Sequence, residues 1–363
     1  MRLTVDLPQQ SYPVFLEPGG LDGLGQAVLN VMGDIDRVVV VSDATVWSHL
    51  SEQCIASFDA AGIRSDVCLI GCGETEKTVA TWTRLVEELL DLAVDRATPV
   101  IAVGGGLVGD VAGFAAASVM RGMPLVQVPT TLLSMVDSAV GGKTGVNTRH
   151  GKNMLGAFHQ PALVYSAMSV LSSLHAREFR SGLGEVVKHA LLGDEALFEK
   201  CEQGAARILA REPEILTDVV GSCVRVKAGV VAQDERESGW RAVLNLGHTV
   251  GHAIEATLIG TERAIPHGVC VAFGLVAETA WAERIGACPV GTVDRLRALL
   301  DSLGIPPCPP DLDAEMVLQQ VVFDKKVRRG KLRTAVVEGV GSVRLTEVAV
   351  DEVQDLFHSL PGF

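Results

Sequence analysis

The first half of the chain alternates short apolar runs with longer amphipathic stretches. The apolar runs are rich in β-branched residues, which is typical of strands buried on both faces of a parallel sheet. They comprise residues 37–42, 66–70, 99–103 and 124–128. Between them, residues 45–61 and 78–92 place apolar side chains at helical spacing. This β-α-β succession predicts an α/β domain with a parallel sheet.

The second half of the chain has a different pattern. Strand signals thin out after about residue 170, and helical periodicity runs through residues 176–232 and 247–284. A chain of 363 residues also exceeds the length that one hydrophobic core usually supports. We therefore expect an α/β domain over residues 1–172 and a mainly helical domain over residues 173–363.

Three shorter patterns complete the prediction. Residues 1–7 alternate like a strand and lack the apolar core of a signal peptide. The proline-rich residues 305–310 predict a surface connection, and residues 332–337 and 342–345 predict a late hairpin.

Composition and charge narrow the class of protein. Hydrophobic residues make up 48% of the chain, aromatic residues only 4%, and there are 38 glycines, which fits a compact α/β enzyme. The formal net charge of -13 argues against general binding to nucleic acids or anionic membranes, since both require a basic surface. Residues 99–120 are long and apolar enough to span a bilayer, but Asp110 and repeated glycines favour a strand–turn–helix unit.

Cysteine usage points to a reducing compartment. The eight cysteines include no Cys-x-x-Cys pair, and several lie in apolar runs. We interpret them as buried free thiols, which predicts a cytoplasmic protein. They are Cys54, Cys68, Cys72, Cys201, Cys223, Cys270, Cys288 and Cys308.

Two histidines four residues apart, His248 and His252, predict a metal site. On a helix their imidazoles share one face, and His267 and Glu185 are further candidate ligands. The motif is not His-Glu-x-x-His, so a metalloprotease is excluded. A pair of structural histidines is the alternative interpretation. The spacing leaves open which of His248 and His252 binds a metal and which is left for acid–base work.

A glycine-rich turn is a candidate phosphate-binding loop. Residues 103–114 read Val-Gly-Gly-Gly-Leu-Val-Gly-Asp-Val-Ala-Gly-Phe, so a predicted strand runs through glycines into a helix. Such a turn lets a pyrophosphate approach the free N–H groups of the helix. The turn lies about a hundred residues into the chain, unlike the usual dinucleotide fingerprint, and close packing of helix on strand is the alternative. Thr130 and Thr131 add hydroxyls after the next strand.

Cationic residues cluster near these motifs although the chain is acidic. Lys188 lies three residues after Glu185, and Arg241 lies seven before His248. We expect several of them to converge on a small polyanion. The candidates are Arg121, Lys143, Lys152, Lys188, Lys227, Arg241, Lys325 and Lys326.

Taken together, these motifs closely resemble the 3-dehydroquinate synthase family, the sugar-phosphate cyclases of the shikimate pathway and aromatic amino acid biosynthesis. The resemblance spans nearly the whole chain. Its motifs include Gly73-Glu74-x-x-Lys77, Pro129-Thr130-Thr131, Asp137-Ser138-x-Val140-Gly141-Gly142-Lys143-Thr144, Gly151-Lys152-Asn153, Gly182-Leu183-x-Glu185-Val186-x-Lys188, Asn245-x-Gly247-His248-Thr249-x-Gly251-His252 and Asp324-Lys325-Lys326.

The resemblance implies an N-terminal Rossmann-like domain that binds NAD and a C-terminal helical domain that binds metal and substrate, with the active site in the cleft between them. It places the cofactor near Asp43, Glu74, Lys77, Gly105, Gly106, Gly109, Asp110, Thr130, Thr131, Lys143, Lys152 and Ser173. It assigns Zn²⁺, with Co²⁺ as an alternative metal, to Glu185, His248 and His267.

Family members convert 3-deoxy-D-arabino-heptulosonate 7-phosphate into 3-dehydroquinate and phosphate, and they regenerate NAD in each turnover. The resemblance implies that phosphate is held by Lys143, Asn153, Lys326 and His252. It implies that the substrate carboxylate and hydroxyls are held by Lys188, Lys227, Arg241 and Asn245, with Asp137 as a further catalytic residue. Between Lys325 and Lys326, we expect Lys326 to be the inward residue. Arg121 resembles the residue that relatives contribute to a neighbouring subunit, which implies a homodimer.

Two departures and three rival functions follow. Many relatives carry glutamate where this chain has Val269, and an acidic residue where it has Ser166. Neither residue is a predicted ligand, so we expect these changes to affect the residues that support the site, and therefore the kinetics, more than the class of reaction. The rivals are a sister sugar-phosphate cyclase, a metal-dependent polyol dehydrogenase and a non-catalytic NAD-binding protein. Arg241 suits a substrate carboxylate, which argues against a sister cyclase, and the retained lysines argue against a dehydrogenase.

Overall fold

The computed structural model describes residues 1–8, 10–258, 260–306, 312, 317, 327–328 and 331–349. The chain divides into two compact units, Met1–Leu174 and His175–Phe363. Lys326, Lys325 and Cys308 lie outside the described residues, as does most of the proline-rich segment.

The first unit contains a seven-stranded sheet among its described residues, in the order β1-β2-β9-β6-β5-β3-β4. Strands β2, β9, β6, β5, β3 and β4 are parallel, and β1 pairs antiparallel with β2 at the edge. The strands are β1 Arg2–Val5, β2 Tyr12–Glu17, β3 Arg37–Asp43, β4 Arg64–Ile70, β5 Val100–Gly104, β6 Leu125–Pro129 and β9 Leu163–Ala167. A separate antiparallel hairpin consists of β7 Lys143–Thr148 and β8 Gly151–Phe158.

Helices connect these strands and cover the sheet. They are α1 Leu24–Met32, α2 Ala44–Ala60, α3 Val79–Asp91 and α4 Gly106–Ser118, with short turns of helix at Glu74–Glu76, Val119–Arg121, Ser134–Ser138 and Met168–Ser173. The core between α3, α4 and the sheet is built from Val, Leu and Ala side chains. The predicted parallel sheet, its four predicted strands β3, β4, β5 and β6, and the helices α2 and α3 are confirmed.

The sequence patterns did not reveal β2, β9 or the hairpin β7–β8. Strand β2 contains Pro13, and β9 has only five residues. The hairpin is rich in glycine and polar residues, and most of β8 is exposed. Strand β2 alternates in burial and β9 is a short buried run, so their signals were present but weakened by the proline and by the shortness of β9. The hairpin has no such signal, because it depends on backbone hydrogen bonds between its own two strands.

The second unit is mainly helical, as predicted. Its helices are α5 Ala176–Gly193, α6 Glu195–Leu209, α7 Pro213–Gln233, α8 His248–Leu258, α9 His267–Arg284 and α10 Thr292–Ser302, with a short helix at Trp240–Asn245. The predicted late hairpin is confirmed as β11 Lys331–Gly339 and β12 Ser342–Ala349, and β10 Val327–Arg328 pairs with β11.

The expectation that the cysteines are buried is wrong for Cys72. This residue follows β4 and is exposed, and its Sγ lies 3.3 Å from Thr45 Oγ1 and 3.4 Å from Asp43 Oδ1. The turn after a parallel strand lies at the surface of the sheet, which explains the exposure. The other cysteines of the described region are buried and free. Among the described residues, no helix is both long and apolar enough to cross a membrane.

Candidate functional site

The glycine-rich turn joins β5 to α4. Gly105 is the residue before the helix and has extended backbone angles, and no side chain caps the first turn of α4. A Cβ atom at Gly106 would lie 3.0 Å from Ser138 Oγ, and one at Gly105 would lie 3.2 Å from Thr131 Cγ2. Glycine therefore keeps the backbone N–H groups of this helix end accessible to an anion.

Two buried hydroxyl groups beside this turn support a bound ligand there. Within the described part of the chain, Thr130 Oγ1 and Ser138 Oγ are buried and have no hydrogen-bond partner. By contrast, Thr131 Oγ1 lies 2.8 Å from Ser134 Oγ and is used within its own turn. Buried hydroxyls without partners are costly. Phosphate oxygens of a dinucleotide would satisfy them, so these residues fit NAD.

Lys77 and Asp110 form an ion pair in the same unit. Their Nζ and Oδ2 atoms lie 2.5 Å apart, and Lys77 is only 6% exposed. Asp110 is in the second turn of α4, and Lys77 follows the short helix Glu74–Glu76. The pair therefore ties the connection after β4 to the glycine-rich helix.

Asn147 on β7 links three predicted site residues, although the sequence analysis did not single it out. Its backbone N–H donates to the Lys77 carbonyl at 2.8 Å, and its Nδ2 donates to Glu74 Oε1 at 2.7 Å. Its Oδ1 accepts the backbone N–H of Asn153 at 2.9 Å. Since the spacing between residues 74 and 147 carries no periodic signal, only the pairing of the hairpin reveals this role.

The other predicted residues of this unit lie at strand ends or on the hairpin. Asp43 ends β3 and caps α2 by accepting the N–H groups of Thr45 and Val46. Asp137 lies in the wide turn Ser134–Ser138, and Ser173 ends the short helix after β9. Lys143 begins β7, whereas Lys152 and Asn153 lie exposed on β8. Gly109 packs in α4 against the Gln127 side chain.

The candidate metal ligands come from three helices of the second unit. Glu185 lies in the middle of α5, His248 begins α8 and His267 begins α9. Glu185 Oε1 lies 3.7 Å from His248 Nε2 and 3.4 Å from His267 Nε2. Two imidazole nitrogens thus face one buried carboxylate oxygen, a donor set that suits Zn²⁺.

The second nitrogen of each imidazole is also bound. His248 Nδ1 lies 3.1 Å from the Leu246 carbonyl, and His267 Nδ1 lies 2.9 Å from Glu255 Oε2. An Nδ1–H that donates to an oxygen leaves the Nε2 lone pair free for a metal, which is the usual support for zinc-binding histidines. Glu255 is a residue that the sequence analysis missed, although it lies on α8 seven residues after His248 and so on the same face.

The electrostatics of the cluster favour a neutral imidazole at His248 and a positive charge at His267. Burial lowers the pKa of His248 well below its usual value, and the Glu185 charge opposes this only in part. Burial also lowers the pKa of His267, but hydrogen bonds and charges from Glu185 and Glu255 outweigh it and raise that pKa to about 9. Carboxylates that stabilise a proton at this position also stabilise a divalent cation.

His252 lies next to the cluster and is exposed. Its ring centroid lies 5.0 Å from that of His248 and 5.5 Å from that of His267. The ligand nitrogens of the three histidines all lie within 4.8 Å of one another, so a site of three histidines is a geometric alternative to one that includes Glu185. We favour Glu185, because its Oε1 faces the Nε2 atoms of both His248 and His267, and the exposed His252 remains accessible to a substrate.

Glycines let the three helices approach closely enough to form the cluster. A Cβ at Gly184 would lie 1.9 Å from the Gly268 carbonyl oxygen, and one at Gly268 would lie 1.8 Å from the Ser181 carbonyl oxygen. These positions adjoin Glu185 on α5 and His267 on α9. Between α8 and α9, a Cβ at Gly251 would lie 2.9 Å from the Cys270 carbonyl oxygen.

The remaining predicted residues of this unit lie on α5, on α7 and in the short helix before α8. Lys188 Nζ lies 2.5 Å from Glu185 Oε2, and both side chains are 1% exposed, which confirms that they share a helical face. Lys227 is buried on α7, and Arg241 is buried in the short helix before α8. Asn245 ends that helix, and its Nδ2 donates to Glu237 Oε1 at 3.4 Å.

Of the two departures, Val269 is buried in α9 and Ser166 is buried in β9. Glu255 on α8 supplies the carboxylate that His267 contacts. The structure therefore shows an acidic partner for this histidine despite the valine at position 269.

Family models match most of the chain. The model for the 3-dehydroquinate synthase N-terminal part matches residues 67–181, and the model for its C-terminal part matches residues 182–327. Among curated relatives, the 3-dehydroquinate synthase of Caulobacter vibrioides is 43% identical over 342 residues and covers 93% of this chain and 92% of its own. That of Nostoc punctiforme is 40% identical and covers 99% of both chains.

Solved structures of sugar-phosphate cyclases share the fold. A 2-epi-5-epi-valiolone synthase from Streptomyces hygroscopicus subsp. jinggangensis, with NAD+ and Zn2+ bound, has a TM-score of 0.86 and 27% identity over 98% of both chains. A 2-deoxy-scyllo-inosose synthase complexed with carbaglucose-6-phosphate, NAD+ and Co2+ has a TM-score of 0.88 and 26% identity over 98% of this chain and 99% of that one. A butanol dehydrogenase from Thermotoga maritima, covering 96% of both chains at 16% identity and a TM-score of 0.68, shows the fold alone.

Proposed function

The chain belongs to the 3-dehydroquinate synthase family, and we propose that it acts as a metal-dependent carbon–oxygen lyase on 3-deoxy-D-arabino-heptulosonate 7-phosphate. The products are 3-dehydroquinate and phosphate. The observation that carries this proposal is the set formed by the buried Glu185 and His248 and the partly exposed His267, with Lys188 beside it. Such a set would hold a divalent cation.

The proposed reaction oxidises the substrate at C5, eliminates phosphate, reduces C5 again, opens the sugar ring and closes a carbon ring by an intramolecular aldol step. No net oxidant is consumed. When bound, NAD supplies reversible two-electron oxidation and Zn²⁺ supplies Lewis acidity toward a substrate oxygen. The ketone at C5 acidifies the neighbouring C–H bond, so few protein bases are needed for the elimination.

The residues of the chain then have three tasks. Thr130, Ser138 and the N–H groups of the glycine-rich turn would hold the cofactor phosphates. Lys143, Asn153 and His252 would hold the substrate phosphate, as would Lys326, which lies outside the described residues. Arg241 would bind the carboxylate through its planar guanidinium, and Lys188, Lys227 and Asn245 would bind hydroxyls.

The rival enzymes have less support. The sister cyclases are 27% and 26% identical to this chain, whereas curated 3-dehydroquinate synthases reach 43%. The dehydrogenase resemblance is limited to the fold, and a dehydrogenase needs no set of phosphate-binding cations. The buried thiols of the described region fit a reducing compartment, so we also propose a cytoplasmic location.

The function is tested by measuring phosphate release from 3-deoxy-D-arabino-heptulosonate 7-phosphate. Protein stripped with a chelator is resupplied with Zn²⁺ and a catalytic amount of NAD, while NADH is followed at the same time. Phosphate and dehydroquinate without net NADH support the proposal. NADH that accumulates without phosphate indicates a dehydrogenase, and turnover of only another sugar phosphate indicates a sister cyclase.

We further propose a homodimer in which Arg121 reaches the active site of the neighbouring subunit. Met120 and Arg121 have positive φ values of 50° and 65°, a strained conformation for two consecutive non-glycine residues. Arg96 Nη2 donates to the Met120 carbonyl at 3.0 Å and supports this turn, which leaves Arg121 exposed. Exposed apolar side chains of the same unit, among them Met154 at 49% and Phe158 at 44%, suit contact with a second copy.

Mixing two inactive variants tests the shared site. In a hybrid of Arg121→Ala and Glu185→Gln subunits, one site has both residues intact if Arg121 acts across the interface. Random exchange in a two-fold dimer is therefore expected to restore about one quarter of wild-type activity. Each variant alone serves as the control. No recovery on mixing, with hybrids shown to form, would mean that Arg121 serves its own subunit.

Replacement of Glu255 by glutamine is expected to weaken Zn²⁺ binding about 10- to 100-fold, because His267 loses a charged acceptor at Nδ1. Competition with a chromophoric chelator measures this affinity. The matched control is Glu262→Gln, since Glu262 is exposed after α8. Equal Zn²⁺ affinities of the two variants would contradict the role of Glu255.

A further inference from the structure

The segment between α7 and α8 carries several residues of the proposed substrate site. It begins at Asp234, directly after α7, and leads through the short helix Trp240–Asn245 to His248. Arg241 and Asn245 both lie in that short helix. The conformation of this segment therefore decides where the two side chains are placed.

The Asp234 carboxylate accepts four hydrogen bonds from this segment. Its Oδ1 accepts from the Ser238 backbone N–H at 2.8 Å and from Ser238 Oγ at 3.0 Å. Its Oδ2 accepts from the backbone N–H groups of Gly239 at 2.7 Å and Arg241 at 3.0 Å. One buried carboxylate thus fixes the backbone at three positions, including that of Arg241.

The backbone of this segment is strained at Glu237, so local conformational preference does not account for its shape. Glu237 has a positive φ of 57°, which is unfavourable for a side chain of its type. Its carboxylate nevertheless contacts Asn245, and a guanidinium Nη1 of Arg241 donates to the Glu235 carbonyl. Arg241 is 2% exposed. A strained turn and a buried cation need an anchor, and the Asp234 carboxylate at the start of the segment provides it.

We propose that Asp234 is a positioning residue that sets the place of Arg241, and through it the recognition of the substrate carboxylate. This inference rests on the proposed function, which identifies the substrate. It adds to the substrate site a residue that acts without contacting that substrate. The expected consequence is a loss of substrate affinity, whereas the binding of NAD and Zn²⁺ uses other residues.

The charge state of Asp234 is consistent with this role. Burial raises the pKa of its carboxyl group, but the N–H donors of Arg241, Ser238 and Gly239 outweigh burial and lower that pKa to about 2. Both oxygens of the Asp234 carboxylate are therefore hydrogen-bond acceptors at neutral pH. An amide in its place offers one acceptor oxygen and one donor, so it cannot satisfy both sets of N–H groups.

The role of Asp234 in ending helix α7 can be separated from its role in positioning Arg241. The Asp234 backbone N–H donates to the carbonyls of Val230 and Val231 at 3.2 Å, and these bonds survive any change of the side chain. Ser238→Ala removes one of the four side-chain bonds but leaves the N–H donors in place. It therefore serves as the matched control for Asp234→Asn and Asp234→Ala.

The test compares these three variants as full-length protein with Zn²⁺ and NAD. Asp234→Ala is expected to raise the KM for the sugar phosphate about 10- to 100-fold, in line with the cost of a small misplacement of a binding group. Asp234→Asn is expected to have a smaller effect and Ser238→Ala less than about threefold. Separate titrations should show unchanged affinities for NAD and Zn²⁺. Amide hydrogen exchange over residues 235–245 should be faster in both Asp234 variants.

Two results would overturn the proposal. One is a wild-type KM together with wild-type exchange in Asp234→Ala; the other is a parallel loss of NAD, Zn²⁺ and substrate binding, which would indicate general misfolding. If Asp234→Ala does not fold, the KM and the hydrogen exchange of the nearly isosteric Asp234→Asn test the proposal instead. Hydrogen exchange needs no substrate, so it tests the anchor even if the unaltered protein fails to turn over this sugar phosphate and the proposed function is wrong.

Discussion

Replacement of Glu185 by glutamine is expected to abolish Zn²⁺ binding at micromolar metal and to reduce turnover at least about 1,000-fold. The carboxylate faces the Nε2 atoms of His248 and His267, and it also pairs with the buried Lys188 ammonium. A neutral amide keeps the shape of the side chain but removes the charge that attracts the metal. The expected loss follows from removing the Lewis acid and the anion that offsets Lys188, each worth several kcal/mol.

Metal titration and phosphate release measure the two effects. Glu178→Gln is the matched control, because Glu178 lies in the first turn of the same helix and is exposed. Glu185→Ala is expected to lose stability as well, by about 3–5 kcal/mol, since it leaves the buried Lys188 without this carboxylate. Full turnover by Glu185→Gln would refute the assignment of Glu185 as a ligand and favour the site of three histidines.

Replacement of Gly184 by alanine is expected to lower the free energy of unfolding by about 3 kcal/mol, at the upper end of overpacking costs. The added Cβ would lie 1.9 Å from the Gly268 backbone oxygen, so no rotation of a side chain can relieve the overlap. Helix α5 must then move away from α9. Because Glu185 and His267 are the next residues on these helices, Zn²⁺ affinity is expected to fall at the same time.

Thermal unfolding with and without Zn²⁺ measures this change, with an expected fall in Tm of about 4 °C. Gly229→Ala on α7 is the control, since nothing lies within 4 Å of a Cβ added there. In that exposed space alanine is expected to stabilise the helix by up to about 1 kcal/mol. A Gly184→Ala protein that melts like wild type would show that α5 and α9 do not pack as closely as described.

The elements that sequence patterns predicted well are those with a strong local signal. Strands β3, β5 and β6 are nearly continuous apolar runs, β4 is apolar in its second half, and α3 has clear amphipathic spacing. The hairpin β7–β8 lacks such a signal, yet it carries Lys143, Lys152 and Asn153. Its two strands are stabilised by pairing with each other. The periodicity of a single strand does not encode this pairing.

Residue types and their spacing predicted part of the chemistry of the candidate site. Histidines four apart, a glutamate with a lysine three residues later and a glycine-rich turn after a strand predict a cation site and a phosphate site, because side-chain direction follows from helical and strand geometry. The resemblance to a known family added the roles of individual residues, which spacing had left open.

Contacts that no periodic pattern encodes determined the rest. Glu255 reaches His267, Asn147 joins Glu74 to Asn153, and Asp234 anchors the backbone of Arg241. The first two contacts join different elements, and the third depends on a strained turn that no propensity favours. Sequence patterns indicate which face of a helix or strand is apolar. They do not indicate how closely two backbones approach each other, and the contacts between elements depend on that distance. In the metal cluster that distance is set by glycines such as Gly184 and Gly268, whose role becomes visible only when the helices are packed.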